Sequence, residues 1–380
     1  MTVPQPPSAP RRGRRLSVWG RALLGVGVAW SVILWGTTLL ARLDDAPSGP
    51  LILAILVLPL AHGISLAVLP LLALVLRHRL GSLLLAAHLF LGLGLRGCPR
   101  LGSASDTAPR LDVATWNLGR LGAYSKGDPT RCSVSDTTAS AIATLRAQDA
   151  DVSVLLEINQ TRLSGLAEAL ALDCEHIDYH GQGVERFGGL AVCAARGGRW
   201  SITRSRSLPL PPGWRYVFAE LSDGEHLLNV LALHLSPYGV TMLELEDAVR
   251  DALRGDRRAL RDALGSMEHS VAEQSEQMNA VIELVAGFRD PTIIAGDFNA
   301  TPASAMHAAL RTDLSDVWRA AGWGLGTTRT VGLLPLRIDY IYTTQRLHPE
   351  RAETFDCTCG PARTCSDHSG LISTLAIAHP

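Results

Sequence analysis

The chain has 380 residues, 47% of them hydrophobic, and a formal net charge of −1, a length that allows two or three domains. The near-neutral total conceals a split: ten of the 35 basic residues but two of the 36 acidic ones fall within the first 100 positions, so the remainder carries 25 against 34, a net charge of about −9. A basic, membrane-like head joined to an acidic soluble body argues against one uniform globule, and the acidic body lacks the basic surface expected of a nucleic-acid binder.

Residues 1–15 are Pro-rich and end in Arg11-Arg12-Gly13-Arg14-Arg15, a basic tail predicted to stay in the cytoplasm. The apolar run from Trp19 to Ala41 is too long for a signal-peptide core and lacks an Ala-x-Ala cleavage site, which predicts a retained transmembrane helix. A second run, Leu51 to Leu76, is also long enough to span. The third, Leu80 to Leu95, is at the short end of spanning length, and with His88 in it reads equally as a re-entrant or interfacial helix. A transmembrane region of three helices is thus expected over 16–97. The clusters Arg11 to Arg15 and Arg77-His78-Arg79 belong inside and the mixed loop Arg42-Leu43-Asp44-Asp45 outside. Three spans then put the body on the extracytoplasmic side of the cell membrane, whereas two would leave it in the cytoplasm.

Residues 98–110, rich in Ser, Gly and Pro, form a linker, and 111–380 form the body. Six of the seven cysteines lie there, at Cys132, Cys174, Cys193, Cys357, Cys359 and Cys365, an even number that suits disulfides in an oxidising compartment. Their pairing is open at this point. Cys357-Thr358-Cys359 with Cys365 has a zinc reading too, against which stand the missing second Cys-x-x-Cys and the lack of a His at zinc-ligand spacing.

Along the body, Leu111 to Trp116 alternates as a first strand that ends at Asn117. Apolar residues at Ala139, Ile142, Ala143 and Leu145 mark a helix, followed by an apolar strand, Val152 to Leu156, that ends at Glu157. A carboxylate there is costly unless a cation or another partner meets it. Further strands are expected at Gly189 to Ala195, Trp200 to Ser205, Trp214 to Leu221 and Leu227 to His234. Leu243 to Phe288 reads as one or two solvated amphipathic helices on the outer layer, with a lid or a membrane-facing element as alternatives. Pro291 to Ala295 is a buried strand expected to break at Gly296, after which Asp297 and Asn299 sit on an exposed turn and, two residues apart, face one point. An Asx turn capping a helix that starts near Pro302 is the plain alternative. Arg337 to Tyr342 is a strand carrying Asp339, and Ser366-Asp367-His368 leads into the last strand, Leu371 to Ile377. One such His or Asp is ordinarily structural; so many at the ends of separate apolar strands point to a site.

The ordered set Asn117, Glu157, His234, Gly296-Asp297-Phe298-Asn299, Ile338-Asp339-Tyr340 and Ser366-Asp367-His368 resembles the endonuclease/exonuclease/phosphatase family over about residues 110–380. The resemblance implies an α/β (α+β) fold, a four-layer α/β/β/α sandwich of two mixed sheets with the site at one end of them, preceded here by the all-α transmembrane region. It implies that Glu157, with Asn117 and Asp367, holds Mg²⁺, or alternatively Mn²⁺, in a set of hard oxygen ligands. Asp297 and Asn299 would hold and polarise the attacking water. His368, oriented by Asp339, would bind the phosphoryl oxygens, and His234 would donate to the phosphate or the leaving oxygen. The chain departs from the family pattern at Gly119, where many members have a second Asn, and at Leu156, where a Gln is common.

The substrate class follows from charge and placement. The body holds one lysine, Lys126, and arginines such as Arg199, Arg204 and Arg206 keep a nuclease reading open. A site tethered to the outer membrane surface favours a substrate that is itself in the membrane. Several spans followed by such a domain resemble actinobacterial members associated with teicoplanin resistance, which implies a lipid-linked pyrophosphate. The expected function is therefore a membrane-anchored, Mg-dependent phosphohydrolase that cleaves a phosphoester or pyrophosphate bond. Its expected partners are the lipid bilayer and a lipid-linked or small phosphate. A surface nuclease is the second reading, and a non-catalytic binding protein the third.

Overall fold

The computed structural model describes residues 17–44, 46–76, 108–122, 132–179, 188–211, 213–332, 334–361 and 363–378. The basic tail, the Arg77-His78-Arg79 loop, the third apolar run and most of the linker lie outside the described residues.

Helix α1 (Val18–Leu43) starts where the Ser17 hydroxyl accepts the Gly20 N–H at 3.0 Å, which satisfies one of the donors left unpaired in a first helical turn. Its buried positions, Gly20, Leu24, Gly27, Ser31, Leu34, Thr38 and Ala41, recur every three or four residues and are mostly small. Small residues at this spacing let two helices approach closely inside a bilayer. They face α2 (Gly49–Leu76): Leu34 and Ala41 pack with Ile55, Leu58 and Ala61, Thr38 and His62 share a 3.0 Å hydrogen bond, and Trp30 donates to Ser65 at 2.8 Å. The opposite face of α1 exposes Trp19, Val26, Ile33 and Leu40. Among the described residues α1, with 26 residues, is the helix long and apolar enough to cross a membrane, for which about 20 residues suffice. In α2 the stretch with fully described side chains is the shorter Gly49–Ser65.

The body begins with β1 (Arg110–Asn117), α3 (Val134–Gln148), β2 (Val152–Leu156), α4 (Gln160–Leu170), β3 (Leu172–Asp178) and β4 (Gly189–Ala195). In chain order there follow β5 (Ser201–Leu210), β6 (Trp214–Ser222), β7 (Leu227–His234), α5 (Met242–Leu253), α6 (Arg258–Ala286), β8 (Thr292–Asp297), α7 (Ala305–Asp313), β9 (Ser315–Asp316) and α8 (Val317–Ala321). The hairpin β10 (Arg329–Val331) and β11 (Leu334–Leu336) precedes β12 (Asp339–Thr343), β13 (Leu347–Phe355), the short pair β14 (Thr358–Gly360) and β15 (Arg363–Thr364), and β16 (Gly370–Ile377).

Two six-stranded sheets result, ordered β13-β16-β1-β2-β4-β3 and β5-β6-β7-β8-β12-β9. Each has one parallel pair at its centre, β1 with β2 and β7 with β8, and antiparallel neighbours around it. Apolar side chains on alternate positions fill the space between the sheets, among them Val113, Val154, Val230, Ile293 and Ile341. The outward positions Trp116 and Leu155 pack under α3 and α4, and Leu231 and Ile294 pack under α6 and α7. The result is the expected four-layer α/β/β/α sandwich of mixed sheets with an apolar helix ahead of it.

Several boundaries differ from the sequence expectation. β8 does not break at Gly296 but runs through it to Asp297. Gly296 has a φ of +146°, and a Cβ there would lie 1.8 Å from the Leu233 carbonyl oxygen, so the glycine serves the close approach of two strands. The strand expected from Trp200 starts at Ser201 and reaches Leu210, and the helix expected near Pro302 starts at Ala305. The long polar segment forms two helices: α6 packs Met278 and Val281 on the second sheet, while its Met267 meets Ile52 and Leu56 of α2.

On α7, His307 is fully buried; its two ring nitrogens pair with the Tyr342 hydroxyl at 2.8 Å and the Ala300 carbonyl at 3.1 Å. Burial, then the charges of Arg311 and Arg337, lower its pKa to about 3. The unfolded chain binds this proton near the ordinary value of about 6.5, so the stabilisation is fully present above that pH and is lost as pH falls toward 3. Between pH 6.5 and 5 the wild type should lose up to about 1.4 kcal/mol of stability per pH unit from this group. Melting curves across that range should be flatter for His307→Gln, and equal slopes would refute the assignment.

Candidate active site

Strand alternation explains where the candidate residues gather. Val113 of β1, Val230 and Ala232 of β7, Ile293 and Ala295 of β8, and Ile341 of β12 point into the core between the sheets. Side chains two apart share a face, so Asn117, His234, Asp297 and Asp339 continue the same inward rows beyond the apolar layer. The two parallel pairs end at one edge of the sandwich, and register completes the cluster: His234 lies opposite Asp297, and Asp297 opposite Asp339. Glu157 follows the inward-facing Leu156, so regular alternation would turn it outward. Its φ of +53° redirects it, a conformation that costs energy in a non-glycine residue and is typical of functional sites. The Glu157 Oε1 then accepts the Asn117 Nδ2 at 3.0 Å.

The remaining geometry is centred on Asp297. Its Oδ2 accepts the Asn117 amide at 3.1 Å and lies 3.7 Å from His234 Nε2 and 3.8 Å from His368 Nε2. Both imidazole separations exceed a direct hydrogen bond, so the two rings flank this oxygen without bonding to it. Asp297 Oδ1 accepts the Asn299 N–H at 2.8 Å, and the Asn299 carboxamide donates to the Leu235 carbonyl at 2.9 Å. The expected exposed turn is therefore a buried one: Asp297 and Asn299 are 1% and 5% exposed. The Asx turn and the site are the same object here, with a φ of +49° at Asn299. His368 Nδ1 donates to Asp339 Oδ2 at 2.8 Å, which holds the ring with Nε2 toward Asp297.

Electrostatics follow from this burial. Desolvation first, and then the charge of Asp339, raise the Asp297 pKa, opposed by His368 and His234. Burial pulls the His368 imidazole down, but the charge and hydrogen bond of Asp339, with Asp297 and Asp367, outweigh it and raise the group to about 9. The arrangement is a cationic imidazole beside a carboxylate with heightened proton affinity, a combination suited to taking a proton from water while stabilising anionic oxygens.

The proposed metal residues differ in exposure among themselves. Glu157 and Asp367 are half-buried at the rim, whereas Asn117, Asp297, Asp339 and His368 are buried behind them. Two carboxylates and an amide oxygen are hard donors of the kind Mg²⁺ takes, but the group that Asn117 turns to Glu157 here is its amide nitrogen. Asn117 Oδ1 also accepts the Gly119 N–H at 3.0 Å. Ligand atoms of Asp297, Asp339 and His368 also lie within 4.8 Å of one another, but the hydrogen bond between His368 and Asp339 already occupies two of them.

Contacts invisible in the sequence support the site. The Tyr179 hydroxyl, just after β3, accepts the Glu157 N–H at 2.7 Å and pairs with His234 Nδ1 at 2.8 Å. It supports the backbone at Glu157, whose preceding residue Leu156 lies in the core. Thr328 accepts the N–H groups of Ile338 and Asp339, each at 3.1 Å. Arg329 donates to Asp367 at 3.0 Å. Gly119 has a φ of +53°, and a Cβ would sit 3.2 Å from Asp367 Oδ1 and Ser366 Oγ, so close packing of the 366–367 loop occupies the place where many members have Asn. Disulfides Cys357–Cys365 and Cys132–Cys359 brace that loop, and Cys174–Cys193 joins opposite residues of β3 and β4. These pairings exclude a zinc centre built from the same sulfurs.

A four-layer sandwich with carboxylates, an amide and two imidazoles at the end of its sheets defines a hydrolase of phosphate esters. The Endonuclease/Exonuclease/phosphatase family model matches residues 114–368, and this chain belongs to that family. Its members are metal-dependent hydrolases of phosphoester bonds, and so is this enzyme. A family protein from Bacteroides thetaiotaomicron is similar at TM-score 0.54 and 17% identity, over 72% of this chain and 100% of that one. A humanized D. rerio TDP2 is similar at TM-score 0.51 and 17% identity, over 70% and 98%. The Bacteroides thetaiotaomicron mannosyl-6-phosphatase Bt3783 is similar at 0.50 and 18%, over 70% and 100%. No curated protein matches the chain.

Proposed function

We propose that this enzyme is a membrane-anchored, Mg²⁺-dependent phosphohydrolase of a lipid-linked phosphate or pyrophosphate, of the type found in actinobacterial teicoplanin-resistance members. The observation that carries the chemistry is the pair of imidazole Nε2 atoms flanking one buried carboxylate oxygen of Asp297 at 3.7 and 3.8 Å. Asp297 takes a proton from a water as the water oxygen bonds to phosphorus, and the bond from phosphorus to the leaving oxygen breaks. Asn299 shapes the turn that presents the carboxylate. His368, held by Asp339, lies against the phosphoryl oxygens as charge grows on them. The Tyr179 hydroxyl against His234 Nδ1 turns Nε2 toward the reacting centre as a hydrogen-bond donor to the phosphate or to the leaving oxygen, which then takes the proton that Asp297 gained from water. A divalent ion at Glu157, Asp367 and Asn117, with Mn²⁺ as the alternative, supplies Lewis-acid stabilisation of that charge when bound.

The membrane substrate is supported by the apolar face of α1 and by the packing of α2 on the body. The acidic body disfavours nucleic acid. Three disulfides support an extracytoplasmic site, with spans beyond α1 in the remaining apolar runs. Peptide mapping without reduction, on protein taken from the membrane, should recover the pairs 132–359, 174–193 and 357–365; free thiols at all six would place the body in a reducing compartment. The decisive test is the full chain with Mg²⁺ against polyprenyl pyrophosphate, phospholipids, sphingomyelin, a sugar phosphate and DNA. Phosphate release from the lipid-linked substrate supports the reading, and cleavage of DNA alone overturns it in favour of a surface nuclease.

A further inference from the structure

A groove of about 410 Å³ lies between α2 and the loops that flank the catalytic residues, a volume typical of small-ligand sites. Its walls come from four separate parts of the chain: Leu56 on α2, Val240 and Leu245 around the start of α5, Met267 on α6, and Val331 on the β10–β11 hairpin. At its inner end are Asn299, in the turn that presents Asp297, and Arg329, about one third exposed and paired with Asp367. Among the described residues lining the groove, Arg329 is the one charged side chain.

We propose that this groove receives the hydrocarbon chain of the substrate, with the phosphoryl group at the end marked by Asn299 and Arg329; the inference rests on the lipid-phosphate reading above. Three features select this occupant. One wall is Leu56 of α2, which packs on α1, the helix long and apolar enough to cross a membrane, so an acyl or prenyl chain held here stays beside the bilayer. The walls are mainly apolar, and a sugar or nucleotide would leave them in contact with polar groups to no advantage. The described lining holds one cation, Arg329, already paired with Asp367, and so lacks the row of cations that the phosphates of a polynucleotide would meet. The groove thus acts as a ruler: its walls reward chain length, and its inner end fixes where the phosphate stops relative to Asp297.

The test uses the full chain in lipid nanodiscs with Mg²⁺ and two probes, isopentenyl pyrophosphate with five carbons and farnesyl pyrophosphate with fifteen. Leu245→Trp and Val331→Trp fill the groove at partly exposed positions away from the catalytic residues. Each methylene removed from water is worth roughly a fourfold change in affinity, so the wild type should show a KM for farnesyl pyrophosphate at least about tenfold lower. Both variants should raise that KM by about tenfold and leave turnover of the short probe unchanged, a result that also shows them to be folded. Loss of both activities in one variant is resolved by the other, and by Val331→Asp, which sets a charge on the apolar wall and should have the same selective effect. A wild type with equal KM for both probes, or a preference untouched by any variant, overturns the groove while leaving a phosphohydrolase. DNA cleavage with no phosphate from either probe removes the lipid reading itself, and the groove's role with it.

Discussion

Asp297→Ala is expected to lose turnover by about 10²-fold or more, the scale for removing a general base, and added metal should not restore it. The loss should differ in kind from that of Glu157→Ala, which should weaken the apparent Mg²⁺ affinity and be partly rescued by excess metal. The distinction comes from placement: Asp297 is 1% exposed with two imidazoles facing one of its oxygens, whereas Glu157 stands half-buried at the rim. His368→Ala should resemble Asp297→Ala. Asp339→Asn should be milder, because the 2.8 Å contact to His368 Nδ1 keeps a hydrogen-bonding partner and loses a charge. Turnover and metal titrations on these four variants decide the matter. Near wild-type turnover in Asp297→Ala or His368→Ala would make the cluster structural and return the non-catalytic reading.

The largest stability effect is expected at Arg337. Its guanidinium makes a two-pronged salt bridge to Asp316 at 2.7 and 2.8 Å, and their side chains are 3% and 1% exposed. Burial alone would raise the Asp316 pKa, but the charge and hydrogen bonds of Arg337 outweigh it and hold the carboxyl below its usual range. Asp316 also accepts the Trp318 and Arg319 N–H groups that start α8, and Arg337 stacks 4.6 Å from the Tyr340 ring. Arg337→Ala strands a buried carboxylate and should cost about 3–5 kcal/mol. Replacing the pair together, Arg337→Met with Asp316→Asn, should recover much of that loss, since the uncompensated charge is gone while the cap remains. Denaturation midpoints of the three proteins test this. A single-variant loss below about 1 kcal/mol would mean the pair is solvated as a surface bridge is.

The contrast between these two sites shows what was legible in the residues. Asn117, Glu157, His234, Asp297 and Asp339 lie at or just past the ends of strands rich in apolar residues, so a polar side chain at the end of an apolar run marks them. Arg337 looked like the first residue of a strand, and its partner lies 21 positions away in a two-residue strand with no pattern of its own. β3 and β13 escaped because they lie at sheet edges, where Asp173, Glu175, Glu350 and Glu353 leave little apolar alternation. Tyr179 follows β3 and was lost with it. Gly296 was misjudged for a different reason. A glycine in an apolar run reads as a breaker, and the reason for this one is a carbonyl on another strand.

The antiparallel contact of β16 with β1 joins the two extremities of the catalytic body. Ser366 donates to the Asn117 carbonyl at 2.7 Å and Trp116 to the His368 carbonyl at 3.0 Å, so the strand made first is completed by the one made last. Such distant pairings form late. A chain growing from the ribosome exposes Asn117 and Glu157 well before Asp367 and His368 emerge, so the two halves of the cluster meet only when the final strand closes on the first.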